Sequence, residues 1–165
     1  MDVNVTGNFI LAQEAQRVFL EQGLTASIIL TTSANAIVPK RGSEAYDVSK
    51  SAVSHLIREL AVGFAPLVRV NGIAPATVIE GSSMFPRARL VESLKKYDVA
   101  FESTESTESL REKLARFYSR RTLTGRLAGP EDCAEAVCWL ASDRAAAITG
   151  HIIPVDGGLI EAFLR

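Results

Sequence analysis

Tyr46 and Lys50 are the residues whose types and spacing first indicate chemistry, because they lie four positions apart. In a helix, residues at that spacing share one face, one turn apart. A phenol has an ordinary pKa of about 10, and a fixed cation beside it lowers that pKa by favouring the phenolate. Tyr46 would then exchange a proton with an alcohol or a carbonyl. The same spacing also fits an amphipathic helix with a half-buried tyrosine and a solvated lysine.

The neighbouring elements predict how this pair is positioned. Residues Ser27–Thr32 form an apolar, β-branched run typical of a buried parallel strand, and Ser33 follows at its end. The apolar pattern predicts further elements over Val3–Glu21, Ser43–Gly63 and Leu67–Ile73, the last of them ended by Pro75. Because strands and helices alternate, we predict an α/β fold with a parallel sheet and right-handed crossovers. Its site should gather at the carboxyl ends of the strands.

Five sequence segments, taken in order, resemble the short-chain dehydrogenase/reductase superfamily. The strand-end Ser33 precedes Tyr46-x-x-x-Lys50 by an interval that fits that superfamily. The other matching segments are Asp2–Gly7 with its helix-borne Asn4, the strand and turn Val68–Pro75, and the last strand and turn Gly150–Gly158. The resemblance covers nearly the whole chain. It implies the C-terminal half of a Rossmann-like, doubly wound parallel sheet that lacks the glycine-rich first half.

The resemblance assigns chemical roles to four residues. Tyr46 would act as general acid or base on the substrate hydroxyl, and Lys50 would lower its pKa and hydrogen-bond the nicotinamide ribose. Ser33 would orient the reacting oxygen, where charge develops in the transition state. Asn4 would hold a water in a proton relay behind Lys50. An asparagine in this position also fits a helix N-cap.

The resemblance further implies a nicotinamide cofactor, NAD or NADP, with NAD preferred, and implies that Tyr46 and Lys50 contact it. The backbone of Pro75, Ala76, Thr77 and Val78 would approach the nicotinamide amide, although the superfamily usually has glycine where Ala76 stands. The sequence contains no glycine-rich turn of the kind that holds a dinucleotide pyrophosphate. We therefore expect the second half of a dehydrogenase: a truncated reading frame, a fragment, or a subunit whose first half is supplied separately.

A narrower resemblance points to one branch of the superfamily. Four segments are similar to the dehydrogenase part of bifunctional rhamnulose-1-phosphate aldolase/dehydrogenase proteins: Pro39–Tyr46, Ala74–Val78, Met84–Arg87 and the ending Asp156–Arg165. In those proteins the aldolase releases lactaldehyde, and the dehydrogenase part is thought to oxidise it. The resemblance thus implies rhamnose catabolism and a small hydroxy-aldehyde or alcohol as substrate.

Composition excludes several classes of function. The 165 residues are 47% hydrophobic, which suffices for the core of one globular domain. A net charge of -1 without a basic stripe argues against nucleic acid as a partner.

No apolar run reaches the roughly 18 residues of a membrane span, and no export signal is evident, so we expect a cytoplasmic protein. Cys133 and Cys138 are predicted to be unbridged core or half-buried thiols, and no metal site is expected.

Residues 79–123 break the alternation of strands and helices. We predict helices over about Arg87–Tyr97 and Ser106–Arg120, joined by the Glu/Ser/Thr tract Glu102–Ser109. This tract fits first a solvated turn with capping residues for the next helix; the alternative is that the segment forms a substrate lid over the catalytic groups. A helix starting at Pro130 and a strand over Ile152–Val155 complete a single partial domain, residues 1–165.

Other polar and aromatic residues are weaker candidates. His55 is expected to be an interface or surface side chain rather than a base, and His151, at the start of a strand, is an equally weak catalytic candidate. Asp156-Gly157-Gly158 is expected to form a turn. Trp139 and the phenylalanines at helical spacing are expected in the core.

Two functions fit the sequence. One is an oxidoreductase acting on a small molecule; the other is a non-catalytic remnant or oligomerisation module that cannot hold cofactor alone. In both cases an unpaired edge at the Ser27–Thr32 strand and uncovered apolar helix faces predict self-association or pairing with a missing N-terminal half.

Overall fold

Helices and strands alternate along the first half of the chain and again at its end. The structure, a computed structural model, describes residues 1–163. A π-helical turn over Asp2–Gly7 comes first. The elements that follow are α1 (Asn8–Gln22), β1 (Ala26–Thr31), α2 (Glu44–Phe64), β2 (Val68–Pro75), α3 (Arg87–Lys96), α4 (Thr107–Ser119), α5 (Pro130–Ala141) and β3 (Ile152–Val155). The last two residues of the predicted ending, Leu164 and Arg165, lie outside the described residues.

The three strands form one parallel sheet in the order β1-β2-β3, which confirms the predicted α/β architecture. Ala26 lies opposite Val68, and Gly72 lies opposite Ile152. The prediction that Pro75 ends the second strand early was wrong, because β2 runs through Pro75, which pairs with Val155. Within residues 1–163, β1 pairs only with β2, so its other edge carries unpaired backbone groups.

The main core lies between α2 and the sheet. Helix α2 places Val53, Ile57, Leu60 and Phe64 on one stripe, and these side chains pack against Val68 and Val70 of β2. Such spacing at three and four residues is that of an amphipathic helix with one buried face. The prediction that the phenylalanines at helical spacing are core residues holds for Phe64 but was wrong for Phe9, which is exposed.

Residues 79–123 build a second, separate apolar cluster. Helices α3 and α4 pack together through Ile79, Leu90, Leu94, Leu110, Leu114 and Tyr118. The Ser106 hydroxyl accepts from the Ser109 backbone N–H and caps α4, as its position in the Glu/Ser/Thr tract predicts. Arg87 of α3 donates to the carbonyl oxygens of Ser103 and Glu105, and thereby fastens this tract to the helix pair. We call residues 79–123 the helical insertion.

Local chemistry at the other boundaries follows sequence rules. Gly23 ends α1 with φ 66°, a left-handed conformation that favours glycine. Asp132 accepts from the Gly129 backbone N–H and caps α5. Cys133 is half-buried and Cys138 is exposed, so the prediction of two core or half-buried thiols was wrong for Cys138. Among the described helices, none is both long and apolar enough to cross a membrane.

Candidate functional site

Ser33 lies directly after β1, at the carboxyl edge of the sheet. Its backbone is extended, and its Oγ accepts from the Asn35 backbone N–H at 3.2 Å. This bond caps a short 3-10 turn over Ala34–Ala36 and holds the serine at the strand end. The side chain is nine-tenths buried beneath a cleft that opens at this edge.

Tyr46 and Lys50 stand on the first turns of α2, one turn apart. The Lys50 Nζ lies 5.7 Å from the centroid of the Tyr46 ring, and it donates to the Thr31 carbonyl oxygen at 2.9 Å. Burial lowers the pKa of the Lys50 ammonium below its ordinary value. Tyr46 is 44% exposed and lines the same cleft as Ser33. The structure thus brings together the three residues predicted from sequence to act on a hydroxyl or carbonyl.

Asn4 contacts the same helix, α2, through a side-chain hydrogen bond. It lies within the π-helical turn, whose N-cap is Met1, so the N-cap interpretation of Asn4 was wrong. Its Nδ2 donates to the Ser49 Oγ at 2.9 Å, and Ser49 in turn donates to the Tyr46 carbonyl oxygen at 2.7 Å. Asn4 therefore contacts Ser49, one of the residues between Tyr46 and Lys50 in α2. A π-helical turn at this position is a rare local structure that is frequent at functional sites.

The loop after β2 forms the opposite wall of the cleft. Ala76, Thr77 and Val78 line it with Ser33 and Tyr46, and its volume is about 710 Å³. Met84, Phe85 and Arg89 of the helical insertion line the remaining side. The cleft, which we call the Tyr46 cleft, is therefore bounded by the sheet edge, α2 and the helical insertion. Its volume falls in the usual range of small-molecule sites.

Asp47 is a residue of this region that the sequence reasoning missed. Its buried carboxylate accepts three hydrogen bonds: from Asn35 Nδ2 at 2.8 Å, from the Lys40 backbone N–H at 2.8 Å and from Ser43 Oγ at 2.9 Å. Burial by itself would raise the pKa of Asp47, but these hydrogen bonds outweigh it and hold the pKa below its ordinary value. Asp47 thus fastens the loop that follows Ser33 to the first turn of α2.

We expect Asp47→Asn to destabilise the protein at neutral pH by about 1–3 kcal/mol, because an amide cannot accept from all three donors. The folded-state pKa of Asp47 is lowered, so its stabilisation is present above the ordinary aspartate pKa of about 3.9 and is lost as pH falls through the folded-state value. Chemical unfolding measured between pH 7 and pH 3 checks this. The stability of wild type and of the exposed-site control Asp98→Asn should fall more steeply with acidification than that of Asp47→Asn. Parallel curves for all three proteins would contradict the assignment.

The weaker candidates occupy positions that give them no part in this site. His55 is exposed and pairs with Glu59 on α2, with 3.0 Å between Nε2 and Oε1. His151 is exposed before β3. Asp156 accepts from the Gly158 backbone N–H at 2.9 Å, which confirms the predicted turn. Within residues 1–163, no group of three or more His, Cys, Asp or Glu side chains is placed to hold a metal ion.

The fold and the site together are those of one class of doubly wound α/β proteins. In that class a serine follows a parallel strand, and a tyrosine and a lysine lie one turn apart on the next helix. The sequence profile described as enoyl-(acyl carrier protein) reductase matches residues 1–96 and 99–160. The chain therefore belongs to this family of short-chain dehydrogenases/reductases.

Individual relatives agree with the family. The chain is 31% identical to the uncharacterized oxidoreductase YuxG of Bacillus subtilis, over 100% of this chain and 23% of that protein. It is 30% identical to an L-rhamnose 1-dehydrogenase (NAD(P)(+)) of a Sphingomonas species, over 95% of this chain and 54% of that protein. The solved structure of ligand-free aldohexose dehydrogenase from Thermoplasma acidophilum matches with a TM-score of 0.76 and 27% identity, over 95% of this chain and 56% of that one. This chain spans about half the length of most of these relatives and a smaller share of YuxG.

Proposed function

We propose that the chain contributes the catalytic part of an NAD(P)-dependent oxidoreductase that interconverts an alcohol and a carbonyl. The observation that carries the proposal is that Ser33 and Tyr46 line one cleft of about 710 Å³ while the Lys50 Nζ lies 5.7 Å from the centroid of the Tyr46 ring. These residues supply a hydrogen-bonding hydroxyl, a proton-carrying phenol and a neighbouring cation. Family membership supports the same reaction class.

The side chains have distinct tasks in this proposal. Tyr46 takes the hydroxyl proton of an alcohol, and returns a proton to the oxygen in the reverse direction. Lys50 places a positive charge 5.7 Å from the centroid of the Tyr46 ring, beside the proton-carrying phenol. Ser33 donates to the reacting oxygen as it acquires negative charge. Asn4 donates a hydrogen bond to Ser49 and so stabilises the helix segment between Tyr46 and Lys50. We also propose that Asn4 holds a water in a proton relay behind Lys50.

The residues present fit the nicotinamide end of the cofactor. When bound, a nicotinamide ring accepts the hydride that leaves the carbinol carbon. Lys50 would hold the ribose, and the backbone of Pro75, Ala76, Thr77 and Val78 would bind the amide; the last three of these residues line the Tyr46 cleft. The sequence has no glycine-rich turn for the pyrophosphate, so we propose that a further segment or chain supplies it. NAD remains our preferred cofactor.

For the substrate we propose a small hydroxy-aldehyde or alcohol such as lactaldehyde, within rhamnose catabolism in the cytoplasm. The resemblance to bifunctional rhamnulose-1-phosphate aldolase/dehydrogenase proteins supports it. The match to YuxG, of which this chain covers only 23%, is consistent with a dehydrogenase segment inside a longer protein. The 30% identity to an L-rhamnose 1-dehydrogenase supports the same area of metabolism more weakly.

Self-association is a further part of the proposal. Helices α1 and α2 expose apolar side chains that a partner surface would cover, among them Leu11 at 71% and Val62 at 82% exposure. The open edge of β1 offers a second surface, for another strand. Sedimentation of a monomer at micromolar concentration would contradict self-association.

A non-catalytic remnant or oligomerisation module is the second candidate function. It is favoured by the missing glycine-rich turn together with the open β1 edge. The two candidates differ in one measurable property, the affinity of this chain for nicotinamide nucleotides.

Titration calorimetry with NAD and NADH tests the proposed function. We expect saturable binding at millimolar concentration or tighter, weakened about 10-fold in Lys50→Met because that variant loses a charge-assisted hydrogen bond to the ribose. Lys95→Met is the matched control, since Lys95 is an exposed lysine of α3 that lies outside the Tyr46 cleft. Absence of binding to the folded wild-type chain would instead favour the remnant.

A further inference from the structure

A second cavity lies beside the Tyr46 cleft and has a basic lining. Its volume is about 260 Å³, and its walls carry Lys40, Arg41, Lys96 and Arg121 but no Asp or Glu from the described residues. The four cations come from three parts of the chain: the loop after β1, the end of α3 and the turn after α4. We call this space the basic cavity.

The positive charge of the basic cavity is only partly compensated. Arg121 pairs with Glu161, with 3.0 Å between its NH2 nitrogen and Oε1. Within residues 1–163, Lys40, Arg41 and Lys96 have no carboxylate within salt-bridge distance; the side chains of Glu44 and Asp47 act on Lys96 and Lys40 only from farther away. Lys96 Nζ donates to the Arg41 carbonyl oxygen at 3.2 Å, which ties the end of α3 to the loop across the cavity.

Two tyrosines complete the wall with hydroxyl groups. The Tyr118 hydroxyl donates to that of Tyr97 at 3.0 Å, and the two rings meet edge to face. Burial would raise the pKa of Tyr97, yet the bond from Tyr118 and the charges of Lys40 and Lys96 hold it below its ordinary value. Burial, followed by the bond to Tyr97, raises the pKa of Tyr118. The lowered pKa of Tyr97 thus reflects the bond from Tyr118 and the charges of Lys40 and Lys96, whereas burial dominates at Tyr118.

The basic cavity adjoins the Tyr46 cleft. Asn35, Lys40, Ala76 and Thr77 line both spaces, and Ala76 and Thr77 belong to the loop assigned to the nicotinamide amide. A molecule whose reacting carbon lies at Tyr46 can therefore reach toward the basic cavity along the wall that contains Lys40. Converging cations and hydroxyl groups at such a position match the chemistry of a carboxylate or a phosphate.

We infer that the basic cavity is an anion subsite, and that hydroxy or carbonyl compounds that also carry a carboxylate or phosphate group bind more tightly than the neutral lactaldehyde named in the proposed function. This inference rests on the proposed function for the position of the reacting carbon. A neutral hydroxy-aldehyde such as lactaldehyde occupies only a small part of the Tyr46 cleft and leaves the basic cavity without a counterion. An analogue that adds an anionic group is bound more tightly.

Direct anion binding tests the inference without any need for turnover. Inorganic phosphate and acetate are titrated separately into the full chain, with binding followed by calorimetry. We expect saturable 1:1 binding of at least one anion, weakened about 10-fold by Lys96→Gln and by Lys40→Gln, since each removes a charge-assisted hydrogen bond. Lys95→Gln is the matched control, because it removes the same charge from the neighbouring position on α3 without touching the cavity.

The outcomes separate this inference from the proposed function. Tighter binding of phosphate assigns a phosphorylated substrate, and tighter binding of acetate assigns a hydroxy or keto acid; either supports the subsite. Absence of saturable binding to the folded chain, or equal weakening by Lys95→Gln and Lys96→Gln, overturns it. Anion binding that persists in a chain without affinity for NAD or NADH leaves the subsite standing and contradicts the catalytic proposal alone.

Discussion

Tyr46→Phe is expected to lower turnover of lactaldehyde or a related alcohol with NAD by about 10²–10⁴-fold, the range that general acid–base catalysis contributes. The variant keeps the ring beside Lys50 and removes only the oxygen that carries the proton. Nucleotide affinity should change little, because the proposed ribose contact belongs to Lys50. Steady-state rates measured together with calorimetric nucleotide binding check the prediction.

The controls for this experiment separate chemistry from folding. Tyr46 is 44% exposed, so loss of its hydroxyl should leave the thermal unfolding midpoint nearly unchanged. Lys50→Met should in contrast weaken nucleotide binding as well as turnover. Wild-type turnover that survives unchanged in Tyr46→Phe would remove Tyr46 from the mechanism. A wild-type chain that binds no nucleotide and shows no turnover would favour the remnant.

Gly72→Ala is expected to cause the largest loss of stability of any single-methyl change we consider, about 3 kcal/mol or more. Gly72 lies in the central strand β2 and is buried between α2 and the neighbouring strands. A Cβ built there overlaps the Ile57 Cδ1 and lies 2.9 Å from the Leu30 carbonyl oxygen. The backbone of β1 cannot yield without breaking its pairing with β2, so the methyl group has no space.

Gly63→Ala is the matched control for this substitution. Gly63 lies in α2, and a Cβ there has no heavy atom within 4 Å among the described residues outside its own helical turn. Alanine is the better helix former, so this variant should gain up to about 1 kcal/mol. Chemical denaturation of both variants checks the pair. Equal stability of Gly72→Ala and wild type would show that the sheet and α2 lie farther apart than described.

The sequence by itself determined the elements and the principal chemical residues. Tyr46 and Lys50 share a helix face because of their spacing, and Ser33 must follow the strand because an apolar run ends there. These are local properties, which depend on residue propensities and on the period of the apolar pattern. They could therefore be predicted without knowing which distant residues pack against them. The Ser106 cap and the Gly23 helix end followed from the same kind of rule.

Tertiary structure alone decided which distant groups meet. The three donors to Asp47, the bond from Asn4 to Ser49 and the basic cavity each join segments that are separate in the sequence. The period of the apolar residues shows which side of a helix is buried, but it does not show which residues of other elements pack against that side. For the same reason Cys138 and Phe9 were misplaced, since their helices are only partly covered by the described chain. Long-range contacts depend on how the elements pack, and that information resides in the fold as a whole.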